Sequence, residues 1–316
     1  MNIHEPFNHV VLSIAAVERD TGIGKDTLRV WERRYGFPTP GRDAHGERVY
    51  PMAQVEKLRI IKRLMDQGHR PGRIVAQSVE QLQQLSQAQV ASPQHLSVSA
   101  STKRADLREY IALLTAHDSD GLRRQLNQVL AREGLKYFVT DLVAPLTTAV
   151  GDAWMRGELE VFEEHAYTEC VAGLLRHAIS ALTEHASDGA PAVLLTTFPQ
   201  ESHGLGLLMA ESMLALEGCR CIALGTQTPL RDIAQAVVAH NIDVVALSFS
   251  MSMNANHVVD GLGELRQLLP ATVEVWAGGQ CAALQRREQT HALVLRDLVG
   301  IGNEIKRWRK QQASKS

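Results

Sequence analysis

The spacing of hydrophobic positions changes along the chain. Up to about residue 76, apolar residues recur at the spacing of short amphipathic helices, as they do from Met52 to Gly68. Residues 106–187 keep this spacing over longer stretches and predict four helices. From residue 191 onward, apolar runs of strand length alternate with helical stretches. This alternation predicts a doubly wound parallel sheet that binds its ligand at the carboxyl ends of the strands.

The predicted organisation is multidomain, α and α/β. The α/β strands are expected at 192–198, 220–225, 243–249, 272–277 and 292–295, and its helices at 204–217, 230–240, 256–268, 280–288 and 297–310. A glutamine- and serine-rich stretch at 80–105 predicts a flexible linker. The predicted domains are therefore a head at 1–79, the linker at 80–105, a four-helix bundle at 106–187 and a Rossmann-like domain at 188–316.

The head has the pattern of a nucleic-acid-binding module. Residues 13–36 predict a helix, a glycine-containing turn and a second helix, with Ser13 as the first N-cap. Small and basic side chains on the second helix suit base edges and phosphates in a major groove, and a short basic wing follows it. The predicted DNA contacts are Lys25, Thr27, Arg29, Arg33, Arg34, Arg42, Arg48 and Tyr50.

Charge supports this division. Residues 1–75 contain 13 Lys/Arg and 9 Asp/Glu, a net charge of +4. The remaining residues contain 20 Lys/Arg and 26 Asp/Glu, a net charge of −6, so that the 316-residue chain has a net charge of −2. Basic surfaces gain phosphate affinity by releasing counterions. The sequence has neither a signal peptide nor a long apolar run, and its four cysteines form no Cys-x-x-Cys pair. We therefore expect a cytoplasmic protein with reduced thiols and no membrane partner.

Candidate cofactor chemistry lies in three segments of the α/β region. Glu201-Ser202-His203-Gly204-Leu205-Gly206 follows the first predicted strand; 41 residues then precede Ser248-Phe249-Ser250, and 27 more precede Gly278-Gly279. A neutral imidazole ligates late transition metals, and its other nitrogen needs a partner that fixes the ring. Glu201 is the expected partner, and Ser248 is expected to hydrogen-bond its carboxylate.

The small residues of these segments predict space for a bulky cofactor. Gly204 and Gly206 would let the cofactor approach the backbone, and Gly278-Gly279 would leave room for a tail. Thr226, after the second predicted strand, is expected to face the cofactor's edge. An ordinary βα loop is the alternative interpretation of these residues.

The motifs resemble two known families. Residues 11–76 resemble the winged-helix domain of MerR-type transcription regulators. The three later segments resemble the cobalamin-binding signature Asp-x-His-x-x-Gly, Ser-x-Leu and Gly-Gly, with Glu201 replacing Asp and Ser250 replacing Leu. This resemblance implies that His203 ligates cobalt from below and that Ser202 and Ser250 also adjoin the cofactor. It also implies that the Ser250 replacement affects only a packing contact.

A further resemblance concerns the bundle. The bundle contains a Trp-x9-Glu-His pattern, formed by Trp154, the nine residues after it and Glu164-His165. This pattern is similar to the cap of cobalamin photoreceptor repressors, the CarH/LitR group. It implies that Trp154, Glu164 and His165 lie over the upper face of adenosylcobalamin, with methylcobalamin as the alternative cofactor. An indole suits an apolar lid, and a carboxylate accepts hydrogen bonds from a sugar. Without the cobalamin signature, Trp154 would be interpreted as bundle core.

The implied protein is a light-responsive transcription regulator, a repressor and not an enzyme. It would bind double-stranded operator DNA in the dark as a homo-oligomer, a dimer or tetramer, and leave it after light breaks the cobalt–carbon bond. Two alternatives stay open: a light-independent regulator of the same architecture, and a cobalamin-dependent methyltransferase or mutase module. In the known photoreceptors a His that ligates cobalt after illumination follows the lid Trp, whereas here Met155 follows it. Because a thioether binds oxidised cobalt weakly, water or His165 is expected there instead.

Overall fold

The computed structural model describes residues 11–43, 46–66, 69–90, 102–182, 190–251, 253–285 and 291–314. The chain divides into two compact units, Met1–His95 and Leu96–Ser316. The first unit contains the head, and the second contains both the helical bundle and the parallel sheet. The predicted fold class, a winged helix-turn-helix with a bundle and a Rossmann-like domain, is confirmed.

The described residues of the head form five helices and a small antiparallel sheet. Its elements are β1 (Val11–Ser13), α1 (Ile14–Thr21), α2 (Lys25–Tyr35), β2 (Gly41–Arg42), β3 (Arg48–Pro51), α3 (Met52–Asp66), α4 (Pro71–Ile74) and α5 (Val79–Val90). The strands are ordered β1-β3-β2, so that β2 and β3 form the predicted wing. Ser13 caps α1 as predicted, because its Oγ accepts a hydrogen bond from the Ala16 N–H at 3.3 Å. Leu28 and Trp31 of α2 are buried, which fixes the opposite face of this helix toward solvent.

The linker predicted at 80–105 is wrong at both ends. Residues 79–90 form helix α5, and its Leu82 is fully buried in the head core. The next helix, α6, already begins at Thr102. The polar composition suggested a coil, but one buried leucine holds α5 against the head. Residues 91–101 lie outside the described part of the chain.

The bundle has the four predicted helices, one of them interrupted. They are α6 (Thr102–Thr115), α7 (Ser119–Tyr137), α8 (Ala144–Arg156) and α9 (Val161–Leu182), and a π-helical segment at Phe138–Val143 connects α7 to α8. Gly134 in α7 has φ 81° and ψ 168°, a conformation that breaks the helix where only glycine is unstrained. The predicted apolar stripe through this region is buried, with Phe138, Val139 and Leu146 fully inaccessible.

In its described residues, the sheet domain has five parallel strands with helices between them. Its elements are β4 (Ala192–Thr196), α10 (Leu205–Leu216), β5 (Arg220–Gly225), α11 (Leu230–Ala239), β6 (Val244–Phe249), α12 (Ala255–Leu268), β7 (Glu274–Gly279), β8 (Leu293–Leu295) and α13 (Gly300–Ala313). The strand order is β5-β4-β6-β7-β8. The chain leaves β4 toward β5 on one side and later returns to β6 on the other, so β4 and β6 flank the topological switch point.

Two predicted elements of the sheet domain differ in the structure. Strand β7 continues through Gly278 and Gly279, which were expected in the loop after it. The helix predicted at 280–288 is a single 3-10 turn at Ala282–Gln285, and residues 286–290 lie outside the described part. The extension of β7 agrees with the hydrogen bonds that the carbonyl oxygen of Phe249 accepts from the backbone N–H groups of Gln280 and Cys281, just past the glycines.

Bundle and sheet share one hydrophobic core. Helix α9 packs against α10, and the common core includes Leu175 of α9, Leu214 of α10 and Trp276 of β7. The opposite face of the sheet packs separately against α11 and α12 around Val245 and Leu262. Because α10 also contacts β4, β5 and β6, this helix lies between the bundle and one face of the parallel sheet.

Candidate cofactor site and nucleic-acid interface

A buried carboxylate connects the two loops at the switch point. Glu201, after β4, has no exposed surface, and Ser250 follows β6. Oε1 of Glu201 accepts hydrogen bonds from the backbone N–H of His203 at 3.0 Å and from its Nδ1 at 2.6 Å. Oε2 accepts from the backbone N–H and from Oγ of Ser250, both at 2.7 Å. We call Glu201, His203 and Ser250 the carboxylate cluster.

These hydrogen bonds keep Glu201 ionised. Burial alone raises the pKa of a carboxyl group, but the hydrogen bonds from His203 and Ser250 outweigh burial and leave the pKa of Glu201 below its ordinary value. An ionised carboxylate only accepts hydrogen bonds, so the Nδ1 atom of His203 must carry a proton. In the neutral imidazole the lone pair is then on Nε2. The side chain of His203 is 62% exposed even though its partner is fully buried.

The serine that meets Glu201 is not the predicted one. Ser248 was expected to bond the carboxylate, but Ser250 does so, through both its backbone and its hydroxyl group. Ser248 lies within β6, whereas Ser250 directly follows the end of this strand, where both its backbone N–H and its hydroxyl group meet the carboxylate. The expectation that the serine at 250 changes only a packing contact is therefore wrong.

The glycines after Glu201 make room for protein atoms as well. A Cβ added at Gly206 would lie 2.8 Å from Oγ of Ser248, and one added at Gly204 would lie 3.3 Å from Cγ2 of Thr226. Gly204 and Thr226 are thus neighbours, which brings the predicted edge residue beside the histidine loop. Ser202, between Glu201 and His203, is exposed.

The paired glycines of β7 differ from each other. A Cβ at Gly278 would meet nothing closer than 3.8 Å, which is ordinary contact distance. A Cβ at Gly279 would lie 2.2 Å from the carbonyl oxygen of Phe249, and the φ of this glycine is 114°. The backbone itself therefore requires Gly279, whereas a side chain at Gly278 would be tolerated by the protein at the carboxyl end of the strand.

The predicted cap residues lie at the joint between two bundle helices. Trp154 is half-buried against the bundle core in the last turn of α8, and Glu164 and His165 occupy the first turn of α9. Oε2 of Glu164 contacts Nδ1 of His165 at 2.8 Å, and Oε1 accepts a hydrogen bond from Oγ1 of Thr168 at 2.8 Å. The side chain of Met155 lies outside the described part of the structure.

Sequence reasoning missed the residue that fixes this first turn. Glu163 is buried; its Oε2 accepts a hydrogen bond from the Glu160 N–H at 2.7 Å, and its Oε1 contacts Nε2 of His117 at 3.0 Å. The bond to Glu160, three residues earlier, is half of a capping box. A glutamate at the third helical position was therefore a signal that the sequence already contained.

The recognition helix α2 exposes several of the predicted DNA contacts. Thr27, Arg29, Arg33 and Arg34 are exposed, as is Arg42 in the wing. Several of the predicted basic residues have intramolecular partners. Lys25 pairs with Glu18 at 3.2 Å, Arg29 pairs with Asp26 at 2.9 Å, and the Arg42 guanidinium donates to the Gly46 carbonyl oxygen at 2.6 Å.

Of the two predicted contacts in β3, the structure contradicts Tyr50 and gives Arg48 a partner within the head. Tyr50 is fully buried in the head core and therefore does not contact DNA. The tyrosine is one of the inward-facing residues of β3, and burial raises the pKa of its hydroxyl group. Arg48 is half-buried and pairs with Glu32 of α2 at 2.8 Å. This pair joins the wing to the recognition helix.

Family models match three parts of the chain. A model described as MerR HTH family regulatory protein matches residues 12–76. Two models described as B12 binding domain match residues 107–179 and 191–303. The helical bundle and the parallel sheet both belong to the matched B12-binding regions, and the head is the MerR-type region.

Curated relatives and a solved structure agree with these matches. The HTH-type transcriptional repressor CarH of Myxococcus xanthus is 35% identical over 267 residues, 83% of this chain and 86% of the relative. The repressor CarA of the same organism is 28% identical over 302 residues, covering 94% and 98%. The monomethylamine corrinoid protein of Methanosarcina barkeri superposes with a TM-score of 0.52 at 14% identity, over 62% of this chain and 94% of that one. This last similarity concerns the fold alone.

Fold, site and comparisons together define a regulator that joins a DNA-binding head to a cobalamin-binding body. The chain belongs to the MerR-type cobalamin-binding transcriptional regulators, the family of the CarH and CarA repressors. It is a regulator of transcription and not an enzyme, so the alternative of a methyltransferase or mutase module is wrong. No helix among the described residues is long and apolar enough to cross a membrane.

Proposed function

We propose that this regulator binds adenosylcobalamin, with His203 as the lower cobalt ligand, and that light acting on the cofactor controls its binding to operator DNA. Methylcobalamin is the alternative cofactor. The observation that carries the proposal is the carboxylate cluster, in which a fully buried, ionised Glu201 holds a largely exposed imidazole by its Nδ1 atom. A carboxylate on the far nitrogen orients a metal-bound histidine and raises its basicity.

The surroundings of His203 favour a metal that brings its own ligands. Within the described ranges, no group of three or more His, Cys, Asp or Glu side chains converges on a possible metal position. A zinc site would need three or four such ligands. Cobalt in a corrin ring already has four nitrogen ligands, so one histidine is a sufficient protein contribution. Nε2 of His203, the nitrogen opposite the Glu201 contact, is the proposed ligand atom.

Small and hydroxyl-bearing residues around the switch point would hold the rest of the cofactor. Gly278 lies next to Ser248 in the register of the sheet, and a Cβ added there would make only ordinary van der Waals contact, with Leu295 at 3.8 Å. We assign the cofactor contacts on this side to Ser202, Gly204, Gly206, Thr226, Ser248, Ser250, Gly278 and Gly279. Gly206 and Gly279 contribute indirectly, because the protein backbone and Ser248 need the space that their missing Cβ atoms leave.

We assign the upper face to Trp154, Glu164 and His165. The cobalt–carbon bond of adenosylcobalamin supplies light sensitivity when the cofactor is bound. The indole of Trp154 would exclude water above it, and the Glu164 carboxylate would accept hydrogen bonds from the adenosyl sugar. In the dark these contacts would favour a homo-oligomer, a dimer or tetramer, whose several heads bind one operator with raised avidity.

The lower ligand is tested by the visible spectrum of the protein with adenosylcobalamin. His203→Ala should lose the spectral signature of imidazole ligation and bind the cofactor more weakly. His240→Ala is the matched control, because His240 is exposed at the end of α11, which precedes β6 at the opposite edge of the sheet. A wild-type spectrum in His203→Ala would refute the assignment.

The response to light is tested by size-exclusion chromatography and DNA binding in three states. Dark protein with adenosylcobalamin should elute as a larger species, and bind duplex DNA more tightly, than illuminated or cofactor-free protein. Identical elution and affinity in all three states would instead support a light-independent regulator of the same architecture.

The lit state is tested at the upper face. Because Met155 replaces the expected histidine, wild-type protein should have water or His165 above cobalt after illumination and should bind added cyanide readily. Met155→His should give a stable bis-imidazole spectrum. A bis-imidazole spectrum in wild type that persists in His165→Ala would contradict both assignments.

A further inference from the structure

One apolar side chain lies in the middle of the DNA-facing side of the recognition helix. Val30 is 42% exposed in α2, and Leu28 and Trp31 of the same helix are buried. At about 100° per residue, Val30 lies about 160° from Leu28 and about 100° from Trp31. Its neighbours on the exposed face are Asp26, Thr27, Arg33 and Arg34, three or four residues away on either side.

Helix stability does not explain a valine at this position. β-branched residues lose rotamer freedom in a helix and have a lower helix propensity than the long polar residues around Val30. Burial does not explain it either, because the described head core contains Leu28 and Trp31 of α2 but not Val30. The side chain thus offers an apolar surface that the isolated head leaves in water, with Thr27 one turn before it and two arginines that can approach phosphates, Arg33 and Arg34, one turn after it.

The major groove presents one apolar group that matches such a surface. Among the four bases only thymine carries a methyl group on its major-groove edge, and apolar side chains contact it there. Arginine and threonine on either side can position the helix through phosphates or contact polar base edges. We propose that Val30 contacts the C5-methyl group of a thymine and so determines a thymine at one position of each half-site. This inference rests on the operator-binding function proposed above.

The test removes the methyl group from the DNA and the side chain from the protein separately. Full-length dark protein with adenosylcobalamin selects duplexes from a randomised library, and the most enriched duplex is then synthesised with deoxyuridine in place of each thymine in turn. Wild-type protein should lose about fourfold in affinity per half-site at one position, the effect of burying one methyl-sized group. In Val30→Ala that loss should fall below about twofold while the effects at other positions persist.

Val238→Ala is the matched control, because Val238 is a more exposed valine, 68% accessible, on helix α11 of the sheet domain. It should respond to deoxyuridine as wild type does. The inference is overturned if no single replacement weakens wild-type binding, or if Val30→Ala keeps the full loss. If the library yields no enriched duplex at all, the operator-binding proposal itself fails, and the assignment of Val30 fails with it.

Discussion

The two adjacent glycines of β7 separate a requirement of the fold from a requirement of the cofactor. In Gly279→Ala, the new Cβ would lie 2.2 Å from the carbonyl oxygen of Phe249 at a φ of 114°. That oxygen cannot move freely, because it accepts hydrogen bonds from the backbone N–H groups of Gln280 at 2.9 Å and Cys281 at 3.2 Å. We therefore expect this change to destabilise the sheet domain.

The expected loss follows from two contributions. Backbone strain for a non-glycine residue in such a conformation costs about 1–3 kcal/mol, and overpacking against a fixed atom costs about another 1–3 kcal/mol. The sum for Gly279→Ala, about 2–6 kcal/mol, is a large fraction of the ~5–15 kcal/mol by which a domain is stable. In Gly278→Ala, by contrast, the Cβ has nothing within 3.8 Å, and alanine in a strand is about 0.5–1 kcal/mol more favourable than glycine.

For cobalamin binding, we expect Gly278→Ala to be the more harmful of the two changes. The Cβ of Gly278→Ala occupies space assigned to cobalamin, and a clash of ordinary overpacking size would weaken binding about tenfold or more. Urea unfolding of the cofactor-free variants, followed by circular dichroism, measures stability, and absorbance titration in the dark measures cobalamin affinity. Wild-type affinity in Gly278→Ala would refute the placement of the cofactor, and a wild-type urea midpoint in Gly279→Ala would refute the steric reasoning.

Three further changes test other parts of the molecule. Tyr50→Phe should raise the free energy of unfolding of the head by about 1 kcal/mol, because the buried hydroxyl group has no hydrogen-bond partner among the described residues. DNA affinity should not change, and a loss of stability in urea would contradict this prediction. Glu163→Ala should lower the free energy of unfolding of the bundle by about 1.5–3 kcal/mol, because it removes two hydrogen bonds to a buried carboxylate. The control Glu169→Ala changes an exposed glutamate of the same helix and should stay within about 0.5 kcal/mol of wild type. Equal effects of the two changes would contradict the capping role. Glu32→Gln frees Arg48 for a phosphate, so the slope of log affinity against log salt should steepen by about 0.9; an unchanged slope would mean that Arg48 does not reach the DNA.

Periodicity predicted the framework well because it reflects burial directly. The apolar stripe through Phe138 and Leu146 and the run beginning at Ala192 became the bundle and the first strand of the sheet. The α5 helix was missed because five of its 12 residues are glutamine, whereas its stability comes from Leu82 packing on the head. Tertiary contact outweighs composition in such a segment.

The candidate site was predictable by residue type but not in its pairings. The spacing of Glu201 and His203 within one loop determines their contact, so this hydrogen bond could be expected from sequence. The partner from β6 depends on where the strand ends, and a shift of two residues replaces Ser248 by Ser250. Likewise, the sequence marks Arg48 and Tyr50 as polar wing residues, but only the register of β3 shows that one turns inward and the other pairs with α2.

The carboxylate cluster also changes the meaning of the two departures from the cobalamin signature. Glu201 and Ser250 appear independent in the sequence, 49 residues apart, yet both oxygens of the glutamate are needed, one for His203 and one for Ser250. An aspartate is one methylene shorter, and a leucine has no hydroxyl group to offer. The two replacements therefore form a single coupled substitution. The loss of stability in the double variant Glu201→Asp, Ser250→Leu should be smaller than the sum of the losses in the two single variants, and a double-mutant cycle measures this difference. Members of the family are then expected to gain or lose this glutamate and this serine together.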